Sequence, residues 1–82
     1  MKGIISAVRR NTIAEAFGIM PGEKLIAVNG TSPADIIELS YLVADEIIDL
    51  SIESQDGELR HVIIEKQPDE DLGLEFESAV FD

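Results

Sequence analysis

This sequence predicts a small α+β domain with two helices set among five strands, and three observations predict it. The chain has 82 residues, the length of one domain with one core. Its hydrophobic share of 45% is ordinary for a folded chain and too high for a disordered tail. Its short β-branched runs are interrupted twice by capped helical segments, in the order strand, helix, strand, helix, strand, strand, strand.

Each element has a local cause. Gly3 to Val8 is an apolar, β-branched run and reads as a strand. Arg9-Arg10-Asn11 turns the chain and reads as a solvated basic loop that an acidic partner could meet. Thr12-Ile13-Ala14-Glu15 has capping-box spacing: the Thr12 hydroxyl accepts one free amide and Glu15 reaches back to another. The helix so opened is short, because Gly18 follows as a left-handed C-terminal cap. Pro21-Gly22 is a turn, Lys24 to Val28 a second strand, and Asn29-Gly30 a tight-turn signal. A longer helix is expected from Ser32 to about Asp45. Ser32 would be its cap, Pro33 its first residue and Asp35 would favour the positive end of the dipole. Ile47 to Ser54 and Leu59 to Lys66 read as strands joined through Gln55-Asp56-Gly57-Glu58. Pro68 stops the second of these, Asp69-Glu70-Asp71 is a solvated acidic linker, and Leu72 to Glu77 is a last strand.

Charge and composition exclude several function classes. Six Lys+Arg stand against 17 Asp+Glu, a net of −11. Phosphate neutralisation needs a basic face, so a nucleic-acid partner is excluded, and an anionic membrane surface with it. There is no cysteine, hence no disulfide scaffold, thiolate metal site or thiol nucleophile, and no cofactor is expected in this chain. No apolar run approaches the roughly 20 residues of a membrane span. Met1-Lys2-Gly3-Ile4-Ile5-Ser6 lacks the form of a signal peptide, so the expected address is the cytoplasm. His61 is the lone histidine, mid-strand, and no Gly-x-Ser-x-Gly elbow frames a serine for it to serve. Asp69-Glu70-Asp71 lacks the alternating spacing of a calcium loop. The chain is therefore expected not to be an enzyme.

The longer helix carries more apolar surface than one core-facing stripe needs. At about 100° per residue, Ile36, Leu39, Leu42 and Val43 share one arc, and Ile37, Tyr41 and Ala44 share another. Either the helix packs on two sides within the domain, or one face lies in the core and the other lines a groove.

The stretch from Asn11 to Gly30 resembles the signature of PDZ domains. The matching positions are Thr12, Ala14, Glu15, Gly18, Ile19, Gly22, Glu23, Ile26, Val28, Asn29 and Gly30. That resemblance implies a small, partly open β-barrel or sandwich of five to six strands with two helices. A common PDZ domain carries a hydrophobic-Gly-hydrophobic, carboxylate-binding loop before its first strand. Here Asp71-Leu72-Gly73-Leu74-Glu75-Phe76, near the other end, looks like that loop and its following strand. The chain thus resembles the circularly permuted bacterial PDZ type found in site-two membrane proteases. The resemblance implies a groove between the Leu72–Glu77 strand and the 33–45 helix that takes a peptide or protein segment by strand addition. It nominates Leu72, Gly73, Leu74, Glu75 and Phe76 on the loop and strand, and Ile36, Ile37, Ser40 and Tyr41 on the helix. On the residues alone, Leu72 to Phe76 also reads as a closing strand with a glycine kink.

The acidic run before the loop repels a free carboxylate terminus, since like charges at about 4 Å cost roughly 1 kcal/mol even in water. An internal strand, a basic peptide or a segment of the same polypeptide is the better-matched occupant. The whole chain further resembles the N-terminal region of iron–sulfur oxidoreductases of the radical-SAM type that carry a domain of unknown function. That implies a 4Fe-4S cluster and S-adenosylmethionine in a following domain, and a linker starting within residues 78–82. The alternative is a structural domain packed on its own downstream catalytic domain, with no free peptide ligand. In isolation the domain, residues 1–82, is expected to be monomeric.

Overall fold

The computed structural model describes residues 3–81. Seven elements follow in the expected order: β1 (Gly3–Val8), α1 (Ile13–Ala16), β2 (Lys24–Val28), α2 (Ile36–Leu42), β3 (Ile47–Glu53), β4 (Leu59–Glu65) and β5 (Leu74–Phe76). The strands form one open antiparallel sheet in the order β4-β3-β2-β1-β5. Register shifts at Ile5/Ala7 in β1 and Leu25/Ala27 in β2 mark bulges that bend the sheet. Of the five to six strands expected, five form among the described residues, and β5 is shorter than the Leu72–Glu77 run.

The short helix forms as its sequence dictates. Thr12 caps α1 by accepting from the Glu15 amide at 3.4 Å, and the Glu15 carboxylate accepts from the Asn11 amide at 3.0 Å. At the other end Gly18 is left-handed, with φ +77. Ile19 N donates to Ala14 O and Gly18 N to Glu15 O, both at 3.0 Å, the paired bonds of a Schellman cap. Ala14 and Ile19 are both buried and join the core. Asn29 and Gly30 both take positive φ, closing the two-residue turn their sequence announces.

The longer helix differs from expectation at both ends. Its cap is Asp35 rather than Ser32, and the Asp35 carboxylate accepts from the Glu38 amide at 2.8 Å. The cause is tertiary. Phe81 N donates to Ala34 O and Ile36 N to Ala79 O, both at 2.9 Å, so Asp35 is held extended against Val80 and no helix can start at Pro33. The helix stops at Leu42, not near Asp45, because the β3–β4 ladder begins early. Lys66 N already donates to Glu46 O at 2.8 Å, and the chain must be extended by that point.

The core lies under one face of the sheet. Ile48, Leu50 and Ile52 alternate inward along β3 and meet Val62 and Ile64 of β4, Leu25 and Val28 of β2, and Ile5 of β1. Leu39 of α2, Leu72 and Phe81 close it. Phe81 is 2% exposed and packs on Phe76 with ring centroids 4.9 Å apart. Residues 79–81 are thus packed into the fold; Asp82, the last residue of the 78–82 stretch in which a linker is expected to start, lies outside the described residues. Arg60 shares the inward face of β4 and reaches Glu23, which is buried at the start of β2. Its two guanidinium nitrogens donate to both carboxylate oxygens at 2.7 and 3.0 Å.

Candidate functional site

A groove of about 380 Å³ lies between α2 and β5. Ile36, Leu39, Ser40 and Val43 form its helical wall. These positions fall at i, i+3, i+4 and i+7, one face of a helix. Leu72, Leu74 and Phe76 form the opposite wall, and Glu70, Asp71 and Glu75 add carboxylates to its lining. The surface is apolar at its floor because Leu39 and Leu72 also belong to the core. β5 ends the sheet, hydrogen-bonded to β1 alone among the strands.

Of the residues nominated from sequence, Leu72, Leu74, Glu75, Phe76, Ile36 and Ser40 come together in this groove. Ile37 and Tyr41 do not line it; they are 68% and 77% exposed on the other apolar arc of α2. The structure thus separates the two arcs that periodicity left equivalent. Leu39, Val43, Glu70 and Asp71 are the lining residues the nomination omitted, although the first two belong to the arc of Ile36 and the last two to the acidic run before the loop.

Gly73 holds the loop rather than lining the groove. Its φ is +89, and an added Cβ would fall within 3 Å of the Thr12 side chain. The loop's carbonyls are bonded inward: Leu72 O accepts from Ala14 N, and Gly73 O from Arg9 N, both at 2.9 Å. The Gly73 amide donates to Asp71 Oδ1 at 3.1 Å. The other Asp71 oxygen pairs with the Arg9 guanidinium, which also lies 3.5 Å from Glu75 Oε2. Arg9 is therefore an exposed loop residue, as expected, that also meets two carboxylates of the same chain. Antiparallel pairing of β1 with β5 sets it beside the acidic run, 62 positions away from Asp71 in sequence. The acidic linker is fixed from its other end by Lys66, whose buried Nζ donates to the carbonyls of Gln67 and Pro68 at 3.0 and 3.3 Å.

One other cluster invites a chemical reading. On the outer face of the sheet His61 meets Asp49 at 3.0 Å and Ser51 at 3.5 Å. Both contacts are to the same nitrogen, Nδ1, so His61 cannot take a proton from Ser51 at one nitrogen while Asp49 orients the other. The cluster has the residue types of a triad without its geometry. No helix among the described residues is long and apolar enough to cross a membrane.

A family model described as PDZ domain matches residues 4–54. The matched span holds β1, α1, β2, α2 and β3, and so one wall of the groove. No curated protein matches the chain. With more than half of its length matched by that model, and with five antiparallel strands and two helices in a small α+β fold, the chain belongs to the PDZ domain family.

Proposed function

We propose that this domain recruits or positions a peptide segment by strand addition. PDZ domains bind peptides or proteins and are generally non-catalytic. The observation that carries the finer reading is the groove itself: an apolar trough bounded by a sheet-terminating strand and a helix. An extended segment laid beside β5 would bond through its main chain, and its alternate side chains would enter the space between Leu74, Phe76, Ile36 and Val43. The order of elements favours a circularly permuted PDZ arrangement, since the groove strand β5 comes last in the chain.

We further propose, on the resemblance to radical-SAM iron–sulfur oxidoreductases, a cytoplasmic, N-terminal regulatory or positioning role within such an enzyme. The chain has no cysteine, so its residues do not fit an iron–sulfur cluster and any cluster belongs to a following domain. A Cys-x3-Cys-x2-Cys pattern in the codons that follow supports this parentage; a stop codon removes it.

Backbone amide NMR tests the groove. The domain is titrated with a degenerate peptide pool, and the expected shifts run along Leu72–Phe76 and Ile36–Val43. Shifts confined to the β4 edge would place binding elsewhere. Absence of any shift would overturn peptide recruitment and favour a structural domain whose groove is filled by its own polypeptide.

A further inference from the structure

The loop at Gly73 already contains a carboxylate. Asp71 accepts the Gly73 amide with one oxygen and the Arg9 guanidinium with the other. A backbone amide beside a guanidinium is the donor set that a terminal carboxylate would require. Here a side chain of the loop has taken it. Around that pair the charge is negative: Glu70, Asp71 and Glu75 all line the groove, and Arg9 is the cation paired with two of them.

We propose that Asp71 stands in for a ligand carboxylate and so excludes chain termini, and that the groove selects an internal extended segment carrying a lysine or arginine beside an apolar side chain. The apolar residue enters the trough between Leu39 and Phe76. The cation lies against Glu70 and Glu75, the second of which Arg9 holds only loosely, at 3.5 Å. The Asp71 side chain is 73% exposed, so its removal disturbs the loop's charge more than its packing. This selection rests on the proposed strand addition and names its ligand class.

The test uses the 82-residue domain and three peptide pools, followed by fluorescence anisotropy. One pool is amidated with lysine fixed beside a central leucine, one has glutamate in place of that lysine, and one is the lysine pool with a free carboxyl end. The native domain is expected to bind the amidated lysine pool about fivefold tighter than the glutamate pool, the effect of one surface ion pair. The free end is expected to add nothing. Asp71→Ala is expected to shrink the lysine preference and to favour the free-acid pool, because Arg9 and the Gly73 amide are released. Asp71→Asn keeps an acceptor for Gly73 and lowers the lysine preference, and so serves if the alanine variant does not fold. Tighter binding of the free-acid pool by the native domain, or equal binding of all three pools, overturns the selection while leaving strand addition in place. No binding of any pool by either protein overturns both.

Discussion

Gly73 lies against Thr12 with no space for a side chain between them: a Cβ at Gly73 would sit within 3 Å of the Cβ, Cγ2 and Oγ1 of Thr12. Thr12 in turn caps α1 and donates its hydroxyl proton to Arg9 O at 2.6 Å. Loop, helix cap and the end of β1 therefore meet at one point.

Gly73→Ala is expected to destabilise the domain by about 2–4 kcal/mol. The left-handed backbone contributes on the order of 1–2 kcal/mol and the steric overlap the remainder. Thr12→Gly in the same chain should recover the steric part alone, with a coupling of about 1 kcal/mol or more in denaturant titrations. Additive losses would mean that the two residues do not press on each other. Gly73→Val probes the fold before it probes any ligand, and so cannot serve as a clean test of the loop in binding.

The Arg60 guanidinium beside Glu23 holds that carboxyl below the usual carboxylate range, with burial opposing and the Met20 amide assisting. The same pair raises Arg60. A depressed carboxyl pKa in the folded state adds stability that is complete above the unfolded value, near 4.3, and lost as pH falls through the folded one. Glu23→Gln should cost about 2 kcal/mol at pH 7, a hydrogen bond to a charged group. The gap between native and variant stability should narrow as pH is lowered below about 5. A gap that stays constant to pH 3 would show that Glu23 is not held ionised by Arg60. Arg60→Lys should lose part of the same increment, since one ammonium cannot reproduce the fork.

Phe81 ties the tail to the core, filling the space over Gly3 and Phe76. Phe81→Ala should cost about 3–5 kcal/mol. In a domain whose total stability is on the order of 5–10 kcal/mol, that brings the chain close to unfolding. Phe81→Leu should cost less than half as much. Thermal unfolding by circular dichroism decides the matter. An alanine variant with a transition within a degree or two of the native one would put the tail outside the cooperative unit.

What could be read from the sequence was what neighbouring residues decide among themselves. The Thr12–Glu15 cap, the left-handed Gly18, the Asn29-Gly30 turn and the alternation along β3 depend on spacings of two to five residues. What could not be read depends on contacts across the chain. Ser32 and Asp35 both carry cap chemistry, and only the pairing of residues 34–36 with 79–81 selects Asp35. The same pairing draws Phe81 inward, a packing that no local spacing near residues 78–82 announces. Arg9 meets Asp71 only because β1 and β5 are neighbours in the sheet. In α2 the hydrophobic pattern defined two arcs, and burial of Leu39 against Leu72 decides which of them faces the groove.

That decision gives a direct test of the site. Ser40 lies on the groove wall, is exposed, and bonds only within its own helix, to Ile37 O at 2.6 Å. Replacing it therefore removes little from the fold, within about 0.5 kcal/mol by the usual behaviour of surface positions. Ser40→Phe sets an aromatic ring into the trough where a ligand side chain would sit. The variant should keep the native unfolding midpoint and bind the amidated lysine pool at least tenfold more weakly. Tyr41→Ala, one residue along on the opposite arc, removes a larger side chain and should leave that affinity unchanged, because Tyr41 does not line the groove. The reverse outcome, loss with Tyr41→Ala and tolerance of Ser40→Phe, would move the binding surface to the outer arc of Ile37 and Tyr41 and leave the groove without a ligand.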